Sequence, residues 1–133
     1  MRAAQKKIIK IFFDHAGVDA VLVFGSQVSE RTTADSDIDL AVLYNNRKIP
    51  SVEKVLDLKE DLSGKLKKRV DLVLLNRSNP ILTHQIFKLN MVIFNKNPTH
   101  LDEIFVKHVT AYADLKRSRK VIEDNILKRK LYG

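Results

Sequence analysis

Residues 24–40, FGSQVSERTTADSDIDL, are the most informative stretch of this sequence about its fold. They connect two short apolar runs, VDAVLVF at 18–24 and IDLAVLY at 38–44. Runs of this length that are rich in β-branched residues and lie next to turn-forming residues are typical of buried β-strands. A Gly-Ser pair follows the first run, and two aspartates one residue apart lead into the second. The sequence therefore predicts two strands, and their polar connection is either a plain surface loop or part of a functional site.

The two aspartates favour a functional site. Side chains alternate along a strand, so Asp37 and Asp39 share one face while Ile38 and Leu40 take the opposite, buried face. Two neighbouring carboxylates repel each other unless a cation lies between them. Mg²⁺ prefers oxygen ligands and commonly binds one or two carboxylates together with substrate phosphates. The alternative, a turn cap followed by a solvent-facing strand residue, is weakened by the Gly-Ser pair that precedes the aspartates.

A third acid lies in another apolar run, VDLVLL at 70–75, where Asp71 is the second residue. Taken alone, Asp71 could equally be a charge at the edge of a sheet. If its strand lies beside residues 38–44, however, three carboxylates come together. That arrangement can hold two metal ions about 3.5–4 Å apart for in-line phosphoryl or nucleotidyl transfer.

The Gly-Ser pair is suited to the phosphates of such a substrate. Gly25 has no side chain, so a phosphate can approach its backbone closely. The Ser26 hydroxyl and the following backbone N–H groups can donate hydrogen bonds to phosphate oxygens, particularly if residues 27–30 begin a short helix. Ser36, directly before the aspartates, can contact phosphate or cap the turn, and the sequence does not distinguish these roles.

The rest of the chain predicts an α/β (α+β) fold. Apolar residues recur at helical spacing in four segments: 3–15, 51–66 with Ser51 as the N-cap, 80–89 with Asn79 as the cap, and one long helix from Thr99 onward. A short edge strand is predicted at 91–94. The expected architecture is a small mixed sheet of three to four strands flanked by helices, in a single domain over residues 1–133.

The long terminal helix is expected to have two roles. Its first half covers the sheet and buries Phe105, Val109 and Tyr112. Its last part, residues 116–133, combines basic clusters with spaced apolar side chains: Val121, Ile122, Ile126 and Leu127. A domain of this size has little surface with which to cover those side chains, so this tail is a candidate docking segment for a partner.

Composition excludes several kinds of chemistry. The chain has no cysteine, so disulfides, thiolate metal sites and a cysteine nucleophile are excluded. The four histidines are not spaced as metal ligands. The basic N-terminus lacks the pattern of a signal peptide, and no run of residues is apolar enough for a membrane span, so we expect a cytoplasmic protein without membrane contact.

The charge balance favours an anionic partner. Lys and Arg number 24 against 16 Asp and Glu, a net charge of +8, which suits a nucleotide, a nucleic acid or an acidic protein surface. Aromatic residues are few and are not interleaved with the basic runs, and an acidic triad would repel a phosphate backbone unless metal were bound. The sequence therefore argues against direct nucleic-acid binding.

The motif as a whole resembles that of a known family. Gly-Ser, ten residues, Asp-x-Asp and a further Asp on a later strand is the pattern of the nucleotidyltransferases related to DNA polymerase β. The chain length and the stretch HVTAYADLKRSRKVIEDNIL (108–127) are similar to the minimal nucleotidyltransferase (MNT) group, and within it to MntA-type antitoxins. The resemblance is close over residues 24–43 and good over 70–75.

The resemblance implies an enzyme that transfers AMP from ATP to a tyrosine of a HEPN-domain ribonuclease toxin and thereby inactivates it. Gly25 and Ser26 would then hold the triphosphate. Asp37 and Asp39 would ligate two Mg²⁺ ions, and Asp71 would complete one metal site and help activate the acceptor hydroxyl.

The chain departs from the family pattern at one place. Many relatives have a basic residue and a glycine where this chain has Ser29 and Glu30, and Arg31 is a possible substitute as a phosphate contact. Two other functions therefore stay open. One is an antitoxin that neutralises its toxin by binding alone, and the other is nucleotidyl transfer to a small molecule.

Overall fold

A computed structural model describes residues 1–28 and 36–132, with side chains through residue 128. Its four strands are β1 Val18–Phe24, β2 Ile38–Tyr44, β3 Val70–Leu74 and β4 Asn90–Asn95. Its four α-helices are α1 Ala3–Phe13, α2 Val52–Leu66, α3 Pro80–Lys88 and α4 Pro98–Tyr132. Short 3₁₀ turns follow β1 at Gly25–Gln27 and β3 at Leu75–Arg77. The predicted α/β fold with a long terminal helix is confirmed.

The four strands form one mixed sheet in the order β3-β2-β1-β4. β1 pairs antiparallel with both β2 and β4, whereas β2 and β3 run parallel. The parallel pair requires a crossover, and α2 provides it. β4 lies at an edge of the sheet, as the sequence predicted, and β3 forms the other edge. This order places the acid-bearing strands β2 and β3 side by side.

The helix ends follow from local chemistry. The Ser51 hydroxyl accepts the backbone N–H of Lys54 at 3.2 Å, and the Asn79 side chain accepts that of Leu82 at 2.8 Å. Each bond satisfies a donor that the first turn of a helix would otherwise leave free. The predicted caps of α2 and α3 are thus confirmed. The α1 helix ends at Phe13, two residues before the predicted end.

Both faces of the sheet are covered, which explains why β1 and β2 are almost continuously apolar. One core lies under α1 and α2 and contains Ile9, Phe13, Leu62, Leu66 and the alternate β2 residues Ile38, Leu40 and Val42. The other core lies under α3 and α4 and contains Ile86, Ala41 and Leu43, with Leu101 and Ile104 packed against it. Asp39 takes the second face, just beyond the end of this second core.

The predicted inward face of α4 is wrong. Phe105 and Val109 are about half exposed, at 46% and 50%, whereas Leu101 and Ile104 pack on the core and His108 is buried. Apolar residues occupy more than one stripe of this helix, and the spacing 101, 104, 108 selects one stripe while 105 and 109 form its neighbour. Tyr112 is half-buried and stacks on His84 with ring centroids 3.9 Å apart.

Three further apolar residues of the predicted helices are exposed: Ile11, Val52 and Leu56. The reason is the same, since each lies beside the stripe that faces the sheet rather than on it. Within residues 1–28 and 36–132, no helix combines the length and the apolar character that a membrane crossing would require.

Candidate active site

Gly25 lies directly against the Asp39 carboxylate. It follows β1 with φ of +74°, a conformation that glycine adopts without steric cost. Its neighbour Phe24 is the register partner of Asp39 on the antiparallel strand β2. A Cβ atom at Gly25 would lie only 2.5 Å from Asp39 Oδ2. The glycine therefore leaves room for the carboxylate, a requirement that the sequence alone did not reveal.

Asp39 and Asp71 are register partners on the parallel strands β2 and β3. Partners in register present their side chains to the same face, so the two carboxylates are adjacent. Asp37 lies just before β2 and is exposed. Burial raises the pKa of Asp39, and the negative charges of Asp71 and Asp37 raise it further. The other two acids that the sequence singled out thus both act electrostatically on Asp39.

Gln27 links the two halves of the motif by hydrogen bonds. This side chain is buried, and its Nε2 donates to the backbone oxygens of Ser36 at 2.9 Å and Asp37 at 3.3 Å. The Ser26 hydroxyl also donates to the Asp37 oxygen, at 3.4 Å. These bonds hold the Gly-Ser turn against the residues that lead into β2, although ten residues separate Ser26 from Asp37.

Two residues of the site were missed by the sequence analysis. Gln27 is a common polar residue in a polar segment, and only its burial shows its role. Lys59, on α2, places its Nζ 3.2 Å from Asp71 Oδ1. The sequence offers only a weak indication of this role: Lys59 is a charged residue in the apolar stripe that Val55, Leu62 and Leu66 would otherwise form.

Some predictions fall outside the described residues. Ser29, Glu30 and Arg31, where the chain departs from the family pattern, lie between the two described parts of the chain. The short helix considered over residues 27–30 lies partly outside the described residues, and the described residues before it form a 3₁₀ turn at Gly25–Gln27.

The donor set fits a divalent cation bound with phosphate. Burial and two neighbouring carboxylates raise the pKa of Asp39, and a cation that neutralises these charges would stabilise its ionised form. Hard ions such as Mg²⁺ take oxygen ligands of this kind. In the part of the chain that the structure describes, however, no three acidic or histidine side chains are already arranged around a common metal position. The Lys59 ammonium lies against Asp71 instead.

Comparisons with known proteins agree with this chemistry. Residues 6–99 match the family model described as Polymerase beta, Nucleotidyltransferase. A relative from Thermococcus cleftensis, the protein adenylyltransferase MntA, is 41% identical over 71 residues, which cover 53% of this chain and 67% of the relative. A Methanocaldococcus jannaschii protein for which the same activity is proposed is 34% identical over 82 residues, 62% of this chain and 85% of its own.

Solved structures match over more of the chain. A chain from a toxin–antitoxin crystal structure with AMP-PNP is 26% identical, with a TM-score of 0.77 over 92% of this chain and 98% of its own. A chain from the complex of a tri-AMPylated Shewanella oneidensis HEPN toxin with an MNT antitoxin has a TM-score of 0.76 over 96% and 99%. Its identity is only 22%, so this second match supports the fold alone.

Proposed function

Because this chain belongs to the polymerase β nucleotidyltransferase family, we propose that it transfers AMP from ATP to a tyrosine of a HEPN-domain ribonuclease toxin and acts as the antitoxin of that toxin in the cytoplasm. The observation that carries the proposal is the position of Asp39, which lies in register with Asp71 and against Gly25. The relatives named as protein adenylyltransferases support the choice of a protein acceptor.

The metal site of this proposal consists of Asp37, Asp39 and Asp71. Two Mg²⁺ ions bound there would neutralise negative charge on the triphosphate and favour ionisation of the acceptor hydroxyl. Their binding would also relieve the repulsion that raises the pKa of Asp39. The negative charges of both other acids act on Asp39, so Asp39 is assigned as a ligand of both ions.

The remaining residues bind and orient the nucleotide. Gly25 lets phosphate oxygens approach the backbone, and Ser26 and Ser36 are assigned hydrogen bonds to them. Gln27 keeps this phosphate-binding turn beside the carboxylates. In the reaction, the acceptor hydroxyl oxygen forms a bond to the α-phosphorus while the bond from that phosphorus to the pyrophosphate oxygen breaks. Asp71 is assigned the hydroxyl proton.

The outer part of α4 is assigned to the toxin. Every side chain from 114 to 128 is exposed, including the apolar residues Val121, Ile122, Ile126 and Leu127, each of which is about half exposed or more. A helix that projects with an uncovered apolar set suits binding to another protein. In this proposal residues 1–133 form one domain whose tail, 116–133, docks on the toxin, and the side chains beyond 128 lie outside the described residues.

The test is a transfer assay. The purified chain is incubated with Mg²⁺, ATP labelled on the α-phosphate, and the product of the neighbouring gene, which we expect to be a HEPN protein. We expect label on the HEPN protein, loss of label with Asp37→Asn/Asp39→Asn, and retention of label with the matched control Asp19→Asn, which changes a strand aspartate at the other end of the sheet.

Two outcomes would contradict the proposal. If no label is transferred while the wild type and the double variant inhibit the toxin equally, the chain neutralises its toxin by binding alone. If label appears only on small acceptors such as aminoglycosides, the chain is a nucleotidyltransferase of small molecules.

A further inference from the structure

Lys59 occupies an unusual position for a charged residue. On α2 it belongs to the stripe of Val55, Leu62 and Leu66, which faces the sheet and has its two leucines in the core. A residue on this stripe is normally apolar. The Lys59 side chain is 35% exposed, and its ammonium contacts Asp71.

The contact crosses the edge of the sheet. The helix α2 packs on the face of β2 that contains Ile38 and Leu40, whereas Asp39 and Asp71 take the other face. β3 is an edge strand, so a long side chain can pass around it to reach Asp71. Lysine suits this path because its four-carbon stem is flexible and its charge is a compact point.

We propose that Lys59 is the resident counterion of the acidic triad: it holds Asp71 in the free protein, competes with metal for that carboxylate, and moves to a nucleotide phosphate when metal and ATP arrive together. The inference deepens the proposed function and rests on its metal site.

The physical argument is a balance of charges. The negative charges of Asp71 and Asp37 act on Asp39, and the ammonium 3.2 Å from Asp71 Oδ1 offsets part of this repulsion at a carboxylate that is proposed to bind metal. Because the pair is partly exposed, breaking it costs little, less than about a tenfold change in an equilibrium constant. A triphosphate both brings metal and offers the displaced ammonium a new acceptor, so metal and nucleotide should bind cooperatively.

The test measures Mn²⁺ binding to the purified chain by electron paramagnetic resonance, without ATP or toxin. Lys59→Met keeps the length of the side chain and removes its charge. We expect this variant to bind Mn²⁺ about fivefold more tightly than the wild type. Lys59→Arg, which keeps the charge, should bind Mn²⁺ with nearly wild-type affinity.

The matched control is Lys54→Met, which removes the same charge from an exposed position of the same helix. We expect less than about a twofold change, since screening weakens the effect of exposed, distant charges. Equal affinity of the wild type and Lys59→Met would overturn the inference. An equal gain with Lys54→Met would also overturn it, because the effect would then reflect net charge alone.

A second titration includes a non-hydrolysable ATP analogue. If Lys59 moves to a phosphate, the difference in Mn²⁺ affinity between the wild type and Lys59→Met should shrink to less than about twofold or reverse. An unchanged difference would overturn that step.

Failure of the proposed function is distinguishable from failure of the inference. If the folded wild type and Lys59→Met both bind no Mn²⁺, the proposed metal site is wrong, and both the proposed function and the inference about Lys59 are contradicted. Mn²⁺ binding with the expected Lys59 effect but no AMP transfer would overturn only the proposed reaction.

Discussion

Asp19 and Asp39 occupy the same position in two neighbouring strands but have opposite surroundings. Each is the second residue of its strand, in VDAVLVF and IDLAVLY, and each is the one half-buried residue in an otherwise buried strand. Because β1 and β2 are antiparallel, the two aspartates lie at opposite ends of the sheet.

Asp19 has partners that satisfy its charge. Its Oδ2 lies 2.6 Å from His100 Nδ1 and 3.5 Å from Asn97 Nδ2, both at the start of α4. The pKa of Asp39 is raised by burial and, in addition, by the negative charges of Asp71 and Asp37. Position in a strand therefore does not distinguish Asp19 from Asp39, the acid proposed to bind metal. Within the described residues, the difference is that Asp19 has hydrogen-bonding partners whereas the neighbours of Asp39 are other carboxylates.

The largest expected effect comes from exchanging each carboxylate for an amide. Asp39→Asn should lower the rate of AMP transfer by roughly a thousandfold or more, because a metal ligand is lost. Asp19→Asn should leave the rate per folded molecule unchanged and reduce the free energy of unfolding by about 1–2 kcal/mol, because a charged hydrogen-bond acceptor becomes neutral. Transfer assays and urea unfolding of both variants measure the two effects. Comparable losses of transfer rate in the two variants would contradict the different roles assigned to Asp19 and Asp39.

The pH dependence of Asp39→Asn sharpens this prediction. Folding raises the pKa of Asp39 above its ordinary value of 3.8, so the folded state binds more protons and stability falls as pH rises from there through the folded-state pKa. The metal-free Asp39→Asn variant should therefore be more stable than the wild type at pH 7. This advantage should disappear below about pH 3.8, which thermal unfolding at several pH values can follow.

An intermediate effect is expected at Gly25. Gly25→Ala places a methyl group 2.5 Å from Asp39 Oδ2 and also imposes a positive φ on a residue with a side chain. We expect a stability loss of about 1–3 kcal/mol and a rate loss of about tenfold or more, because the carboxylate must move.

The control is Gly64→Ala, in α2. A Cβ there meets nothing within 4 Å, so this variant should be more stable than the wild type by about 0.5–1 kcal/mol and equally active. Urea unfolding and transfer assays compare the pair. If Gly25→Ala had the same stability and transfer rate as Gly64→Ala, the close approach of Gly25 to Asp39 would be unimportant for both stability and activity.

The smallest effect is expected from a histidine that, unlike His100, has no acidic partner in the described part of the chain. His108 is buried between α3 and α4, and burial together with the nearby His84 lowers its pKa below 6.5. The unfolded chain then binds more protons at this residue, so stability should fall as pH drops below about 6.5.

His108→Phe keeps an aromatic ring against Phe87 and cannot be protonated. The difference in melting temperature between this variant and the wild type should therefore widen, in favour of the variant, from pH 7.5 to pH 5.5. A constant difference would show that His108 does not titrate as its surroundings indicate.

Much of the fold was predictable because its signals are local. The strands at 18–24 and 38–44, the caps Ser51 and Asn79 and the long terminal helix all follow from neighbouring residues, and each was found. The inward face of α4 was not predictable, since apolar residues lie on more than one stripe of the helix. Only packing against the sheet chose Leu101 and Ile104 over Phe105 and Val109.

At the site, the residue types and their spacing can be read directly from the sequence: Gly25 and Ser26, then Asp37 and Asp39, then Asp71. Alternation along a strand predicted that the first two acids share one face, although Asp37 lies just before β2. The tertiary structure alone decided that β3 lies beside β2, in the register that pairs Asp39 with Asp71. It also decided that Gln27 and Lys59 belong to the site. The physical reason is that sequence spacing carries only local information. It fixes the direction of a side chain along its own helix or strand, whereas contacts between elements depend on how their faces pack.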